Sequence, residues 1–398
     1  MKIAILEICA DNHYSAVNGL IKTYSVDSDN TIVLYTNETI AKAIRENGVP
    51  SNTTLVVFNK EENVQPFLNN IEKGHFDRLH ICTIEAYFKE FANFKPNAKE
   101  IIFHVHDIDV WFDSSLNNNV KNFTSSVGKQ PNKIRTTAKF VRDIVIRNPL
   151  RNRILSNIQN GNHKFIVHSE GQKSYLSEFV SAANIIMFPF AINEGMETPS
   201  VQRAENQKIR FCIPGIVTQS RRDYHGLFKI LDAILEDIKH DLVFDFLGFV
   251  EQSEPELLDK IKALEQRGLE VYYYTEFVFG KKFDDALSQA DILLNNQIVQ
   301  VSHTTKYGFS KESGMLFNMI RGAKPGVFPM AYTVDKIFEN ALLYYANSIE
   351  LGDIILGLAN KSIDLDTLKI HASDMADNFT PKKLYSRLVK DAQVLEKF

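Results

Sequence analysis

The chain has 398 residues, of which 44% are hydrophobic and 24% are charged, so it is long enough for two domains with sizeable cores and too apolar for a disordered protein. Its 45 lysines and arginines stand against 49 aspartates and glutamates, and the net charge of −4 argues against a globally basic nucleic-acid binder. Its three cysteines are scattered without a CxxC spacing, which argues against a disulfide scaffold and a structural zinc site.

The N-terminal apolar run, from Ile3 to Ile8, is shorter than the core of a signal peptide. No uncharged apolar stretch approaches the roughly 20 residues that cross a bilayer. Together with the scattered cysteines, these features predict a cytoplasmic protein that meets a membrane only at its surface.

Short apolar runs alternate with amphipathic stretches along the whole chain, which is typical of βα units around parallel sheets. The strands predicted in the first half are 2–7, 31–35, 54–58, 78–82, 100–104, 164–168 and 184–188. Those predicted in the second half are 209–213, 242–247, 269–273, 291–294, 326–329 and 342–345, with helices at 224–238, 255–267 and 381–398.

A polar segment with Gly, Pro and Ser separates the two series of elements. We therefore predict an α/β fold of two doubly wound, Rossmann-like domains that face a cleft. The N-terminal domain covers residues 1–195, the linker 196–207, the second domain 208–378, and a C-terminal helix at 379–398 packs back on the first domain. Sheets of this kind bind ligands at the carboxyl ends of their strands.

One feature suited to an anion is a predicted helix start in the second domain. Apolar residues at helical spacing between Met315 and Ile320 place Ser313 and Gly314 in the first turn of a helix. Exposed N–H groups and the positive end of the helix dipole bind phosphate well there. The alternative is that Ser313 only caps a core helix.

A second feature of this kind follows the first strand of the second domain. The chain runs there through Pro214 and Gly215 to Arg221 and Arg222, just before a helix. A glycine allows close approach of the backbone to a ligand, and two guanidiniums suit a diphosphate. Paired arginines also occur on solvated loops, but two such features at one sheet edge favour a binding site.

This layout resembles the GT-B glycosyltransferases, most of all the family-4 type. The order of elements carries the likeness over most of the chain, and the specific motifs lie at 209–226 and 307–329. The family usually has two glutamates before a G-K-P, and those positions hold Ser310 and Asn318 here. The run Lys311-Glu312-Ser313-Gly314 looks like the K-x-S-G variant of some members.

The resemblance implies a donor site for a nucleotide sugar, which is the substrate, and no other cofactor and no metal. Cations and helix N-termini would stabilise the departing diphosphate, Glu312 would reach the sugar or the ribose, and aromatic residues would contact the base. The residues implied on the donor side are Gly215, Arg221, Arg222, Tyr274, Phe277, Lys311, Ser313 and Gly314. Tyr274, within a run of three tyrosines, is as well explained as a half-buried strand residue.

The acceptor-side candidates follow two strands of the first domain. Asp11, His13 and the pair Asn18-Gly19 come after the first strand, and the pair is placed at a helix start like the glycine loop that faces the donor in these folds.

The other candidates, His106 and Asp107, follow a later strand, where the resemblance also places the acceptor side. A metal site there would need further ligands. An inverting reaction would use Asp107, Asp11 or His13 as the base, whereas a retaining reaction needs none. We take Asp107, His106 and Glu312 as the catalytic candidates.

A basic stretch covers residues 129–153. It holds eight cations and one anion, Asp143, interleaved with apolar residues. Such an amphipathic pattern can rest on an anionic membrane surface, or it can be a core helix with a basic edge.

These observations predict a metal-independent glycosyltransferase of the hexosyltransferase type. It would move a sugar from a nucleotide diphosphate to a hydroxyl of a glycan or lipid-linked glycan, in bacterial surface polysaccharide synthesis. The alternatives are a catalytically silent partner or scaffold of the same fold and a sugar-nucleotide epimerase.

Overall fold

The computed structural model describes residues 1–127, 133–195, 207–278 and 280–393. Residues 196–206 of the predicted linker and residues 129–132 of the basic stretch lie outside these ranges. The chain divides into two compact units. Unit 1 contains Met1–Phe190, Ser302–Glu312 and Pro381–Phe398, and unit 2 contains Ala191–Val301 and Ser313–Thr380.

Strands and helices alternate in unit 1. They are β1 (Lys2–Glu7), α1 (Tyr14–Tyr24), β2 (Thr31–Asn37), α2 (Glu38–Glu46), β3 (Thr53–Phe58), α3 (Val64–Glu72), β4 (Phe76–Ile81), α4 (Phe88–Phe91), β5 (Ala98–His104), α5 (Ile108–Trp111), α6 (Leu116–Val127), α7 (Lys133–Arg142), a π-helical turn at Asp143–Arg147, α8 (Asn148–Gln159), β6 (His163–Val167), α9 (Glu170–Leu176), a 3-10 turn at Ala182–Asn184 and β7 (Ile185–Met187).

The alternation continues in unit 2. Its elements are β8 (Ile209–Cys212), α10 (Tyr224–Ile238), β9 (Leu242–Phe249), α11 (Pro255–Gln266), β10 (Glu270–Tyr274), α12 (Gly280–Gln289), β11 (Ile292–Leu294), α13 (Gly314–Gly322), β12 (Gly326–Pro329), a 3-10 turn at Lys336–Ala341, β13 (Leu342–Tyr345), α14 (Ser348–Ala359) and α15 (Leu365–Asp377). The last helix, α16 (Pro381–Gln393), belongs to unit 1.

Each unit is built on one parallel sheet. The strand order is β3-β2-β1-β4-β5-β6-β7 in unit 1 and β10-β9-β8-β11-β12-β13 in unit 2. The order reverses direction between β1 and β4 in the first sheet and between β8 and β11 in the second, and these reversals are the switch points where such sheets bind ligands. Every predicted strand overlaps an observed one, so the predicted pair of Rossmann-like folds is confirmed.

Long apolar runs explain why these strands lie inside the sheets. In β1, residues 3–6 are fully buried, and Ile292, Leu293 and Leu294 form all of β11 and are also fully buried. Strands covered by helices on both faces carry such continuous apolar runs. Helix α10 presents Leu227, Leu231 and similar residues at three- and four-residue spacing to this core.

The segment Ser302–Glu312 lies in unit 1, although the sequence assigns it to the second domain. The side chains of Thr304 and Thr305 each donate a hydrogen bond to Asp109 Oδ2, at 3.0 and 2.6 Å. Asn122 Nδ2 donates to Thr304 Oγ1 at 2.7 Å. These bonds to α5 and α6 attach the segment to unit 1, which periodicity along the chain cannot indicate.

Helix α16 packs against α1 within unit 1. The Tyr385 hydroxyl donates to Asp27 Oδ2 at 2.7 Å and so ties this helix to the loop after α1. Among the described helices, none combines the length and apolarity needed to cross a membrane.

One carboxylate is buried inside the second sheet. Asp245 in β9 is 1% exposed, and its oxygens make no hydrogen bond within the described residues. Arg210 Nη1 lies 3.7 Å from Oδ2. Burial raises the pKa of Asp245 to about 6, and the charge of Arg210 opposes this rise. Because the pKa is about 4 in an unfolded chain, ionised Asp245 destabilises the folded state, and this cost disappears as the pH falls from about 6 to about 4.

We predict that Asp245→Asn raises the free energy of unfolding at pH 7 by about 1–3 kcal/mol, because the amide carries no charge to desolvate. Denaturant titrations followed by circular dichroism at pH 7 and pH 5 measure this. The gain should shrink at pH 5. Asp232→Asn, on the exposed ion pair with Arg267, is the control and should change little. A loss of stability at pH 7 in Asp245→Asn would contradict the assignment.

Candidate functional site

In unit 2, the loops after β8 and β11 meet at the switch point. Gly215 has a φ of +105°, a left-handed conformation that favours glycine. A Cβ on Gly248 would lie 2.2 Å from the Gly215 carbonyl oxygen. Two glycines therefore allow the loop after β8 to lie directly on β9.

Arg222 lies inside this loop and is 8% exposed. Its Nη2 donates to the Pro214 carbonyl, whereas Nη1 is buried and makes no hydrogen bond of good geometry within the described residues, although the guanidinium lies beside the buried Tyr224 hydroxyl and interacts with it. Arg221 is exposed to solvent, and its carbonyl accepts the Ile298 amide at 3.0 Å. The structure therefore distinguishes the two arginines, which the sequence leaves equivalent.

The polar run after β11 was missed by the sequence analysis. Asn296 is 3% exposed, and both polar atoms of its side chain lack a hydrogen bond among the described residues. Its carbonyl accepts the Asp223 amide at 2.8 Å, which joins the run to the start of α10. The signal was present: three consecutive amides, residues 295–297, follow a wholly apolar strand at the carboxyl edge of a parallel sheet.

Ser313 is the N-cap of α13, as the simpler interpretation of the sequence expects. Its Oγ donates to Gln297 Oε1 at 3.0 Å and accepts the Met315 amide at 3.3 Å. Its own amide donates to the Tyr332 hydroxyl at 3.1 Å. The Ser313 amide is thus used internally, while Gly314 begins the helix with open space around its Cα.

The aromatic candidates lie at the end of β10. Tyr274 is half-buried, and burial raises the pKa of its hydroxyl to about 12. Lys282 Nζ lies 5.3 Å from the centroid of the Tyr274 ring. Phe277 is 55% exposed and makes an edge contact with Phe249 at 6.4 Å between ring centroids. Tyr274 therefore fits the strand-residue alternative, and Phe277 presents most of its ring to solvent.

In unit 1, His13 follows β1 at the first switch point. Its Nδ1 lies 2.9 Å from Oε2 of Glu7, a carboxylate with no exposed surface, and 2.8 Å from Thr83 Oγ1. Glu7 Oε1 accepts the amides of Cys9 and Ala10 at 3.0 Å each. The carboxylate is therefore held in place, and it orients the imidazole through Nδ1–H.

His106 and His168 form a stacked pair beside His13. The ring centroids of His106 and His168 are 5.2 Å apart, and those of His13 and His106 are 4.9 Å apart. Burial lowers the pKa of His168 to about 4 and that of His106 well below its usual range, with the other histidines adding to the second shift. Both rings are therefore neutral near pH 7.

Each nitrogen of His106 lies close to another protein atom. Nε2 lies 2.9 Å from the Cys82 carbonyl, to which it can donate, and Nδ1 lies 3.2 Å from His168 Nε2. His168 Nδ1 in turn lies 2.8 Å from the Phe188 carbonyl. These contacts leave His106 poorly placed to take a proton from a ligand. By contrast, His13 Nε2 makes no hydrogen bond to any of the described residues.

Asp107 and Lys311 form an ion pair within unit 1. Lys311 Nζ lies 2.6 Å from Asp107 Oδ1, and the two residues also form an isolated backbone bridge. The Ile108 amide donates to the Ser310 carbonyl at 2.9 Å. The sequence analysis gives Asp107 and Lys311 separate roles, but the structure pairs them. Lys311 and Glu312 lie on the segment Ser302–Glu312, which belongs to unit 1 like Asp107.

The remaining acceptor-side candidates have no contact with the histidine cluster among the interactions described above. Asp11 is exposed and pairs with Lys60 Nζ at 2.6 Å. Helix α1 begins at Tyr14, so the prediction that Asn18 and Gly19 begin a helix is wrong; both are buried in its interior. The loop is shorter than expected because the helix continues four residues further towards the N-terminus.

The described residues contain no group of three or more His, Cys, Asp or Glu side chains arranged to hold a metal ion. Within the basic stretch, Arg151 is 8% exposed and its guanidinium lies over the rings of Phe88 and Trp111, at 5.4 and 5.9 Å from their centroids. Arg151 therefore packs in unit 1 and does not contribute to a basic surface.

No protein-family model matches the chain, and no curated protein matches it in sequence. Solved structures are similar in fold over the whole chain. HepE from Anabaena, crystallised with UDP and glucose, has a TM-score of 0.60 at 12% identity, with 100% of both chains covered. A glycosyltransferase from Rickettsia africae has a TM-score of 0.58 at 11% identity, again with 100% of both chains covered.

The lipopolysaccharide outer core galactosyltransferase WaaB has a TM-score of 0.51 at 10% identity, with 100% of both chains covered. At these identities the likeness concerns the fold alone. The chain therefore has the GT-B fold that these glycosyltransferases share.

Proposed function

We propose that this protein is a glycosyltransferase that moves a sugar from a nucleoside diphosphate to a hydroxyl of a glycan or lipid-linked glycan. One observation carries the proposal: Arg222 Nη1 and the Asn296 amide are buried at the switch point of unit 2 without hydrogen bonds in the described chain. Burying such groups costs free energy unless a ligand or water completes their bonds.

A nucleoside diphosphate supplies the matching chemistry. Its oxygens can accept hydrogen bonds from a guanidinium and from a carboxamide, and the guanidinium carries the opposite charge. The exposed ring of Phe277, at the end of β10, offers a surface on which a base could stack. The fold likeness to HepE, a protein crystallised with UDP, supports this class of ligand.

We expect Arg222→Gln and Asn296→Ala to raise the Kd for UDP or GDP by about 10- to 100-fold, as measured by isothermal titration calorimetry, because each removes a donor to the diphosphate. Asn296→Ala is the cleaner change, since the side chain makes no hydrogen bond that the fold would lose. The control is Arg267→Gln, an arginine on the exposed pair with Asp232.

Unchanged affinity in both variants would overturn the donor site. Product analysis with a panel of UDP and GDP sugars then separates the functions. Transfer to an acceptor supports a transferase, a changed sugar that stays on the nucleotide supports an epimerase, and binding without turnover supports a scaffold.

We further propose that His13 is the general base and that the reaction inverts the anomeric centre. Because Glu7 accepts from Nδ1–H, the lone pair of His13 lies on Nε2, where it can take a proton from an acceptor hydroxyl. Glu7 stabilises the imidazolium that forms. Asp107 is the weaker candidate, since Lys311 already neutralises its charge.

His13→Gln should lower kcat by about 10²- to 10⁴-fold, the usual contribution of general-base catalysis, and leave the Kd for the nucleotide unchanged. Glu7→Gln should also lower kcat, because a neutral partner no longer stabilises the positive charge that His13 takes up with the proton. His225→Gln, an exposed histidine in α10, is the control. Retained anomeric configuration in the product, determined by NMR, would reject a base at this position.

Unit 1 also has an apolar and basic surface that we propose rests on an anionic membrane. Ile134 in α7 is 85% exposed, and Val145 in the π-helical turn that follows is 66% exposed; Lys139 and Arg142 also lie in α7. Exposed apolar side chains among cations bind the interface of anionic bilayers. Such a surface would suit a lipid-linked acceptor.

We expect Ile134→Asp and Val145→Asp each to weaken binding to vesicles that contain phosphatidylglycerol by at least about tenfold, because each removes buried apolar area from the interface and adds a like charge. Co-sedimentation measures this against vesicles of phosphatidylcholine alone. Ile349→Asp, at a 76% exposed site in α14 of unit 2, is the control. Equal binding of all variants would contradict a membrane contact at this surface of unit 1.

A further inference from the structure

A cavity of about 440 Å³ lies in unit 1 between the first sheet and helices α4 and α8. This volume lies within the range of about 300–1,000 Å³ that is usual for small-molecule sites. Its lining includes the apolar residues Ile84, Phe91, Ile101 and Ile154 and the polar residues Lys95 and Asn162. Apolar side chains predominate among the lining residues, but polar atoms also form a substantial part of the exposed wall.

The polar positions mark the mouth of the cavity. Lys95 is exposed and precedes β5, and Asn160 and Asn162 precede β6, whereas Phe94 and Ile158 are almost fully buried. Residues that precede parallel strands lie at the amino edge of the sheet. The mouth therefore lies at the opposite edge from His13 and His106, and a ligand in this cavity is not a reactant at those residues.

The pocket is partly open to solvent, and its inner part reaches buried side chains such as Phe94 and Ile158. Aliphatic and aromatic side chains form its walls, including Phe91, Ile101 and Ile154, which belong to the hydrophobic core of unit 1. Water gains few hydrogen bonds against such walls, whereas an alkyl chain gains contacts along its length. The apolar part of the lining thus favours an alkyl chain.

Charges of both signs lie near the mouth, and the charged group in the lining itself is the Lys95 ammonium. The Glu72 carboxylate accepts the Lys95 amide at 2.6 Å and fixes the backbone of this turn. Arg153 Nη2 donates to Asn93 Oδ1 at 2.9 Å, two residues from Lys95 along the chain. An anionic head group would therefore be attracted to the mouth while its chain occupies the apolar interior.

We propose that this cavity binds one alkyl chain with an anionic head group, the head at Lys95 and the chain against Ile101 and Ile154. The deep wall gives the site a connection to the histidines, because Ile81 and Ile84 flank Cys82 and Thr83. The Cys82 carbonyl and the Thr83 hydroxyl hold His106 and His13, respectively. A chain packed there would stabilise the backbone that positions both rings.

Calorimetric titration of the full chain with octanoate, decanoate and dodecanoate tests the proposal without reference to any activity. The expected Kd tightens about fourfold for each added methylene until the cavity is full. Decanol, which has the same chain and no charge, should bind about tenfold more weakly than decanoate. Decyl phosphate, compared with decanoate, identifies the preferred anionic head group.

Two variants test the two ends of the site. Lys95→Ala should abolish the preference for decanoate over decanol, and Lys99→Ala, an exposed lysine paired with Asp77, should retain it. Ile101→Phe reduces the volume and should shorten the longest chain that gains affinity, provided that circular dichroism shows a folded protein. If Ile101→Phe does not fold, the chain-length series and Lys95→Ala test the proposal without it. The absence of saturable binding by any chain, or an equal effect of both lysine variants, would overturn the proposal.

Discussion

The structure depends on one constraint of parallel sheets: neighbouring strands whose helices leave in opposite directions open a crevice at their carboxyl ends. The crevice lies between β1 and β4 in unit 1 and between β8 and β11 in unit 2. Loops that follow these strands must turn there, and they carry the polar side chains that interior strands exclude. His13 follows β1, Arg222 follows β8 and Asn296 follows β11, so the residues proposed for the base and for the diphosphate all lie beside these crevices.

Buried polar groups are distributed unevenly between the two crevices. In unit 1 the groups satisfy one another: Glu7 holds His13, and backbone carbonyls hold His106 and His168. In unit 2 the guanidinium of Arg222 is only partly used, and Asn296 is unused within the described chain. This difference agrees with the base proposed for unit 1 and with the donor site proposed for unit 2. The base needs a fixed orientation, and the donor site needs polar atoms that the protein itself does not satisfy.

The segment Ser302–Glu312 holds Lys311 in unit 1, next to Asp107. Thr304 and Thr305 attach the segment to Asp109, where burial raises the pKa of the carboxyl group and the two hydroxyls oppose this rise. Lys311 then lies against Asp107. The motif predicts that Lys311 serves the donor side of the second domain, whereas the structure pairs it with Asp107 in unit 1. This is a long-range contact, and a motif read along the chain does not contain it.

The sequence by itself determined the strands, the two-sheet architecture and the positions at which polar residues follow strands, because hydrophobic periodicity and strand ends are local properties of the chain. It also placed Ser313 at a helix start. Only the tertiary structure decided which of Arg221 and Arg222 is buried, that His13 pairs with Glu7, that Asp107 pairs with Lys311, and that residues 295–297 line the same crevice as Gly215. These outcomes depend on strand order and on the direction in which each loop leaves the sheet, and both are set by packing between residues that are distant in the sequence.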